Sequence, residues 1–329
     1  MRTTFNPTRR HAIQSVAALA ATLALPAVRA QSDFPRGPIK IIIPLPAGGA
    51  ADVGVRTMAI EMEKSIKQSV VVENKPGGLY QVGFQALLQA PADGLTLLHL
   101  NSGMVAVQVV QKRYDLNKQL QPLTISGDTP MVLMVGPTSP YKTLKDLVAF
   151  GRANPGKLSY ATPGAGSIEH LKCAQIEKAA GFNGLNVAYK GGPDMVKAVI
   201  GGEVDFTVAP AIFAAQFAPK GQVRVLAAVD NVRLKEFPDV PSIIEAGVDV
   251  APLRLWGGYA VHPDTPPAIV QRLFKELAAA ATSAPVVARL TPFGMHIEAS
   301  KSPDDFRKLI TSDATWMAEA AKGLKLELN

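Results

Sequence analysis

Four glycine-rich turns have the clearest potential for chemistry in this sequence. They read PLPAGG (44–49), PGGL (76–79), PGAG (163–166) and KGG (190–192). Each follows an apolar run that is typical of a β-strand. A helix that begins after such a turn offers free backbone N–H groups and a partial positive charge, and glycine lets a ligand approach them closely. The turns favour a site for an anion with two charged ends, such as a dicarboxylate. The alternative is that each turn only closes a tight strand-to-helix connection.

Residues that could perform catalysis are sparse. His170 and Cys173 lie three apart on one expected helix face, so a Cys–His nucleophile is conceivable, but a small buried cysteine is the simpler interpretation. The sequence has no G-x-S-x-G elbow, no H-E-x-x-H zinc motif, no P-loop and no dinucleotide fingerprint. We therefore expect a protein that is not an enzyme, with no catalytic residue, no metal and no cofactor. Because Cys173 is the single cysteine, no internal disulfide can form.

The elements that carry these turns follow the same plan twice. A strand at 39–43, a glycine turn, a helix and a strand at 69–72 are followed later by a strand at 158–161, a glycine turn, a helix and a strand at 185–189. This layout predicts two α/β lobes with parallel-rich sheets, whose ligand crevice lies at the carboxyl ends of the strands. A strand near 253–261 is expected to return to the first lobe, where the C-terminal helices pack.

The first thirty residues have the pattern of a signal peptide. Basic residues that include Arg9 and Arg10 precede an uncharged run over 12–28 and a small-residue cleavage site. The Arg9-Arg10 pair is compatible with twin-arginine export as well as with general secretion. Without this segment the net charge falls from +7 to +3, because the segment has four arginines and no acid. The remaining chain lacks long basic runs and has few aromatics, so we expect no nucleic-acid partner.

Several segments, in this order and spacing, resemble the Bug family, the TctC-type solute-binding receptors of tripartite tricarboxylate transporters. The segments are IKIIIPLPAGGAAD (39–52), VVVENKPGG (70–78), ADGLTLL (92–98), VAYKGGPDMVKAVIGGEVDF (187–206), VRVLAA (223–228), FPDVPSIIEAG (237–247) and WGG (256–258). The resemblance covers essentially the whole chain. It implies a periplasmic two-lobed binding protein, similar to type II receptors, with mixed, parallel-rich sheets and a ligand cleft between the lobes.

The resemblance also implies which residues bind the ligand. In the family, loops after the first two strands hold one ligand carboxylate, largely through backbone N–H groups and ordered waters, and the second lobe closes over it. Carried onto this sequence, the ligand-binding residues are Ala47, Gly48, Gly49, Ala50, Ala51, Asp52, Gly77, Gly78, Leu79, Tyr80, Gln81, Gly164, Ala165, Gly166, Ser167, His170, Lys190, Gly191, Ala209 and Pro210. Among these, Asp52 is expected to brace the first loop or to cap its helix. Lys75, Lys190 and Arg254 are the candidate cations for a carboxylate.

The sequence departs from the family pattern in these loops. Ala47 replaces a proline, Ala51 replaces a hydroxyl residue, and Leu79-Tyr80 stands where the family has two glycines. A later strand that usually ends near an acidic residue ends here in Ala209-Pro210. Tyr80 therefore fills part of the carboxylate cradle, faces an aromatic or apolar ligand, or simply packs on its own lobe or points to solvent.

These observations give one set of expectations. Residues 1–30 form the signal peptide, residues 31–125 and 255–329 form lobe 1, and residues 126–254 form lobe 2. The protein captures a small organic carboxylate, either an aromatic acid or a dicarboxylate, for uptake by a tripartite transporter. It works as a monomer with membrane transporter subunits as partners. One alternative is a sensory or orphan receptor of the same fold. A second, less favoured alternative is an enzyme that uses His170 and Cys173.

Overall fold

The computed structural model describes residues 34–251, 254–322 and 324, without the side chains of Arg254 and Phe293. The predicted signal peptide at 1–30 lies outside this range. The chain divides into two units, Met1–Gly37 and Pro38–Asn329. All elements described below belong to the second unit.

Nine strands and eleven α-helices make up this unit within the described residues. The strands are β1 (Ile39–Ile43), β2 (Val70–Asn74), β3 (Thr96–Asn101), β4 (Gln121–Val135), β5 (Leu158–Thr162), β6 (Gly184–Ala188), β7 (Phe206–Pro210), β8 (Arg224–Ala228) and β9 (Arg254–Val261). The helices are α1 (Ala50–Ile66), α2 (Gln81–Leu88), α3 (Ser102–Gln111), α4 (Leu116–Gln119), α5 (Leu144–Ala153), α6 (Ile168–Ala180), α7 (Gly192–Gly201), α8 (Ala211–Phe217), α9 (Pro267–Ala281), α10 (Ala284–Leu290) and α11 (Pro303–Ala321).

The strands form one mixed sheet in the order β2-β1-β3-β9-β4-β7-β5-β6, and β8 also pairs with β4. Pairing is parallel for β1 with β2 and β3, and for β5 with β6 and β7. It is antiparallel wherever β4 or β9 takes part. The fold is thus the mixed α/β architecture that the sequence predicts.

One strand, β4, connects the strands of the two expected lobes into this sheet. Residues 121–130 of this long strand pair with β9, and residues 131–135 pair with β7 and β8. We call β2, β1, β3 and β9 the first half of the sheet, and β7, β5, β6 and β8 the second half. The return of β9 to the first half is confirmed by its pairing with β3.

Two glycines, Gly127 in β4 and Gly258 in β9, allow neighbouring groups to pack directly against the backbone of these strands. A Cβ at Gly258 would lie 2.6 Å from the carbonyl oxygen of Thr124 and 2.6 Å from the Phe306 ring. Gly127 has a φ of 136°, and a Cβ there would lie 2.1 Å from the carbonyl oxygen of His296. Larger residues at either position would push the strands apart at the centre of the sheet.

Most predicted elements form within two residues of their expected limits. A capping box is present at α5, where the Thr143 hydroxyl accepts from the Asp146 amide at 3.1 Å and the Asp146 carboxylate accepts from the Thr143 amide at 2.9 Å. Helix α3 was not predicted, because its valines favour a strand. This helix begins because the Asn101 side chain caps it, accepting from the Met104 amide at 3.2 Å.

Within the described part of the chain, no helix combines the length and the apolar character needed to cross a membrane. The longest of these helices, α11, packs on α3 and β4. The C-terminal region therefore covers the first half of the sheet, as predicted.

Candidate functional site

A cavity lies between the two halves of the sheet, at the carboxyl ends of β1, β3, β5 and β7. We call it the inner cavity; its walls include Ala50, Tyr80, Asn101, Glu169, Phe213 and Trp256. It leaves about 90 Å³ for the centres of water molecules.

A wider opening leads into this cavity from the surface. We call it the outer mouth; it is lined by Gly77, Gly78, Leu79, Arg113, Lys190 and Asp194, among others. The inner cavity and the outer mouth share four residues, which form the passage between them: Leu45, Pro46, Tyr80 and Pro163. Tyr80 therefore lines both openings.

The N-terminus of α1 forms one wall of the inner cavity. The first hydrogen bond within this helix runs from the Val53 amide to the Gly49 carbonyl at 3.1 Å, and no side chain caps the helix at Gly49. The N–H groups of Ala50 and Ala51 precede this bond, so they have no partner within the helix. An anion at this position would gain from both the free N–H groups and the helix dipole.

Asp52 holds the turn before α1 in place. Its carboxylate accepts from the Gly48 amide at 3.1 Å, from Arg56 Nε at 3.0 Å and from Asn74 Nδ2 at 3.0 Å. Burial alone would raise the pKa of Asp52, but the hydrogen bonds from Arg56, Gly48 and Asn74 outweigh it and lower this pKa below its usual value. The charged carboxylate of Asp52 therefore holds the first loop in place. Asp52 itself does not line the inner cavity.

Leu79 and Tyr80 occupy a strained turn at the passage. Both have left-handed backbones, with φ of 48° and 73°, a conformation that costs a non-glycine residue roughly 1–2 kcal/mol. Tyr80 is only 5% exposed and belongs to the main hydrophobic core. The interpretation that it points to solvent is therefore wrong. The residue packs on its own half of the sheet and also lines the inner cavity.

The Tyr80 hydroxyl lies beside the Asn101 side chain. A Cβ at Gly103 would be 2.3 Å from Tyr80 Oη and 2.8 Å from Asn101 Oδ1, so both groups approach the same point of α3. Burial, with the nearby Glu169 and Tyr114, raises the pKa of Tyr80 well above its usual value. The hydroxyl is therefore neutral and available as a hydrogen-bond donor.

Glu169, the second residue of α6, lines the inner cavity from the other half of the sheet. It is 6% exposed, and its Oε2 has no hydrogen-bond partner in the described protein. Burial raises the pKa of Glu169 to about 7. His99, in the same cavity, has an unpartnered Nδ1, and burial lowers its pKa to about 4 despite a hydrogen bond with the Gly258 carbonyl. His99 is thus neutral at neutral pH.

His170 and Cys173 do not form a nucleophilic pair in this structure. His170 Nδ1 accepts from the Gly166 amide at 3.1 Å, so it holds the loop before α6. Cys173 is fully buried, and burial raises the pKa of its thiol well above the usual value. A reactive cysteine needs an accessible thiolate, and Cys173 provides neither. Among the described residues, no three His, Cys, Asp or Glu side chains are grouped so that they could hold a metal ion.

The structure brings part of the predicted residue set to the two openings. Gly49, Ala50, Ala51, Tyr80 and Pro210 line the inner cavity. Gly77, Gly78, Leu79 and Lys190 line the outer mouth, together with Tyr80. The other predicted residues are described but line neither opening: Ala47, Gly48, Asp52, Gln81, Gly164, Ala165, Gly166, Ser167, His170, Gly191 and Ala209.

Some of these remaining residues lie where the two halves meet. A Cβ at Gly164 would lie 3.7 Å from Leu79, and one at Gly191 would lie 2.9 Å from Pro46. Gln111 of α3 donates a hydrogen bond to the Ala165 carbonyl. The glycine turns at 163–166 and 190–192 thus contact the opposite half directly, which leaves the outer mouth as the opening between them.

Strand residues of the inner cavity were not predicted. His99, Asn101, Ser126, Thr129, Leu255 and Trp256 line it from β3, β4 and β9, as does Glu169 from α6. Two signals in the sequence could have indicated some of them. His99 and Asn101 are polar residues at the end of an apolar strand, and the family segment at 256–258 contains Trp256.

Two of the candidate cations lie away from the inner cavity, and the side chain of the third is outside the part that the structure describes. Lys75 pairs with Glu73 at 2.8 Å, and Lys190 lies at the outer mouth. The side chain of Arg254 is not described. None of the described residues that line the inner cavity is a lysine or an arginine. Backbone and neutral side-chain donors are therefore the groups available there for an anion.

Comparison with known proteins identifies the family of this chain. A sequence model described as "Tripartite tricarboxylate transporter family receptor" matches residues 55–321. BugT of Bordetella pertussis is 30% identical over 316 residues, which cover 94% of this chain and 95% of BugT. The periplasmic binding protein BugD has a TM-score of 0.82 at 26% identity, covering 88% of this chain and 98% of that structure. An R. palustris protein solved with adipate has a TM-score of 0.82 at 25% identity, with the same coverage. The chain belongs to the tripartite tricarboxylate transporter receptor family, whose members are periplasmic solute-binding proteins and not enzymes.

Proposed function

We propose that the protein binds a small organic acid in the inner cavity and delivers it to the membrane subunits of a tripartite tricarboxylate transporter. The observation that carries this proposal is the uncapped N-terminus of α1, where Ala50 and Ala51 line a largely apolar cavity. Receptors of this family bind small carboxylates and work with transporter subunits. The adipate complex of the R. palustris relative supports the same class of ligand.

The proposal includes a specific arrangement of the chain. Residues 1–30 direct export to the periplasm, and the mature protein acts as a monomer. Residues 31–125 and 255–329 form one lobe and residues 126–254 the other. Because β4 is the strand shared by the two halves, the lobes open and close by bending there.

Thermal stability in the presence of acids tests the proposal. The panel contains monocarboxylates, dicarboxylates and aromatic acids of three to eight carbons, with the corresponding neutral amides as controls. At a hundredfold excess over Kd, the bound acid is expected to stabilise the protein by about 2.7 kcal/mol. Stabilisation by no acid of the panel, or equally by the neutral amides, contradicts the proposal.

Ala50→Pro tests the position of the carboxylate. Proline is favoured at the first position of a helix, where its ring carbon replaces the N–H hydrogen. The preceding Gly49 has an extended backbone, with ψ of 175°, which suits a residue before proline. We expect the variant to fold with an unchanged Tm and to bind the stabilising acid at least tenfold more weakly. Unchanged affinity would show that the carboxylate lies elsewhere.

Uptake measurements separate transport from sensing. Deletion of the protein in its host is expected to abolish high-affinity uptake of the stabilising acid. Normal uptake with a lost transcriptional response to the acid would favour the sensory receptor instead.

A further inference from the structure

Two residues that line the inner cavity near Tyr80, namely Asn101 and Glu169, each have an unpaired polar atom. Asn101 Nδ2 and Glu169 Oε2 have no hydrogen-bond partner among the described protein atoms, although both residues are more than nine-tenths buried. A buried polar atom without a partner costs roughly 1–3 kcal/mol. Such atoms in a ligand cavity therefore indicate the chemistry of what binds there.

The roles of the two atoms are fixed by their surroundings. Asn101 Oδ1 already accepts from the Met104 amide at 3.2 Å, so the free end of this amide is its Nδ2, a donor. Glu169 Oε2 is an acceptor when the carboxyl group is ionised. The Tyr80 hydroxyl connects the two: it shares the contact point at Gly103 with Asn101, and it is close enough to Glu169 for the two to interact electrostatically.

A ligand group that fits these two atoms must accept one hydrogen bond and donate another. A primary carboxamide does both, because its carbonyl accepts and its NH₂ group donates. A second carboxylate does not fit when Glu169 is ionised, because two like charges would share a buried site. We propose that the inner cavity selects an acid with a hydrogen-bond-donating second group, such as a carboxamide, over the dicarboxylate of equal length. This inference rests on the proposed function, since it assigns the second end of the same ligand.

Glu169 is the group whose charge changes near neutral pH in this cavity. Burial raises its pKa to about 7. The other titratable groups that face it are Tyr80 and Cys173, which interact with it electrostatically, and His99 across the same cavity. Burial keeps Tyr80 and Cys173 protonated and lowers the pKa of His99 to about 4. Between pH 6 and pH 8, therefore, discrimination against a dicarboxylate should increase with the ionisation of Glu169.

Calorimetric titration with matched acids tests this inference. The probes are succinate and succinamate, glutarate and glutaramate, and adipate and adipamate, each measured at pH 8 against the full mature protein. We expect one half-amide to bind at least tenfold more tightly than its diacid. In Glu169→Gln the preference should fall below threefold, because the glutamine amide can donate to a carboxylate.

Two further variants make the result specific. Glu177→Gln is the matched control: this second glutamate of α6 also has a pKa raised to about 7 by burial, but it lies outside the inner cavity and accepts from the Gly184 amide. It should keep the wild-type preference. Asn101→Asp retains the oxygen that caps α3 and removes the donor, so it should weaken binding of the half-amide at least fivefold.

The outcomes separate this inference from the proposed function. If the diacids bind as tightly as the half-amides, or if Glu169→Gln leaves the preference unchanged, the inference is overturned and the proposed function stands. If none of the six acids binds and no acid of the thermal panel stabilises the protein, both are overturned.

Discussion

The inner cavity and the outer mouth share a passage but differ in the groups they present. Charged residues that include Arg113, Lys190 and Asp194 line the outer mouth, where water solvates them. The inner cavity has buried side chains, and its one described carboxyl group, Glu169, carries a raised pKa. The difference shows that the described cationic side chains lie outside the buried cavity, because removing a cation from water would be costly there. Inside the cavity, the N-terminus of α1 is the group that can bind an anion.

The largest expected effect concerns the pH dependence of the folded state. Glu169 has an ordinary pKa of 4.5 and a folded pKa of about 7. Because the folded pKa is raised, stability is fully present below pH 4.5 and is lost as pH rises towards 7. At ~1.4 kcal/mol for each pKa unit, the loss is up to about 3 kcal/mol.

Glu169→Gln should therefore be more stable than the wild type at pH 8 and similar to it at pH 4.5, as measured by urea unfolding. Parallel pH profiles would contradict the buried position of this carboxyl group.

Gly103→Ala should damage the inner cavity. The added Cβ would lie 2.3 Å from Tyr80 Oη, so the ring or α3 must move, at a cost of about 1–3 kcal/mol. Gly201→Ala in α7 is the control, because its Cβ would meet only the flexible Glu203, at 3.9 Å. We expect Gly103→Ala to lower Tm and to weaken acid binding at least tenfold, and the control to do neither. Wild-type affinity in Gly103→Ala would show that Tyr80 and Asn101 do not shape the site.

Asp52→Ala should loosen the wall that carries the α1 N-terminus. The change removes acceptors for Gly48, Arg56 and Asn74, and should cost about 1–2 kcal/mol. Acid affinity should fall with it. Asp146→Ala provides the comparison: this residue also has a lowered pKa, chiefly from its hydrogen bond with the Thr143 side chain, but it caps α5 far from the cavity. The control should lose stability and keep its affinity. Equal loss of affinity in both variants would mean that Asp52 acts only through global stability.

Lys190→Ala should have the smallest effect, because Lys190 lies at the solvated outer mouth. Exposed charges act mainly on association rates, and salt screens them. We expect a Kd within about threefold of the wild type at physiological ionic strength, measured by calorimetry. A loss of tenfold or more would place a ligand carboxylate in the outer mouth, and the contrast between the two regions would be wrong.

The sequence predicts the local elements well because their signals are local. The glycine turns and the brace at Asp52 each depend on residues a few positions apart, and both form as expected. Four of the five predicted residues at the inner cavity, Gly49, Ala50, Ala51 and Tyr80, come from loops of this kind.

The strand-borne walls of the site depend on topology instead. His99, Ser126 and Trp256 are far apart in sequence, and they meet only because β9 inserts between β3 and β4. Nothing local to 121–135 shows that one strand serves both halves of the sheet. Glu169 is a comparable case, because a glutamate in the first turn of a helix is common for its favourable interaction with the helix dipole. Only the packing of α6 against the other half shows that its carboxyl group is buried in the ligand cavity.

A crystal structure with the most stabilising acid of the thermal panel tests the central claim most directly. We predict the ligand carboxylate within hydrogen-bonding distance of the Ala50 and Ala51 amides, and the second polar group against Asn101 and Glu169. An acid bound in the outer mouth, with its carboxylate on Lys190 or Arg113, would contradict the account.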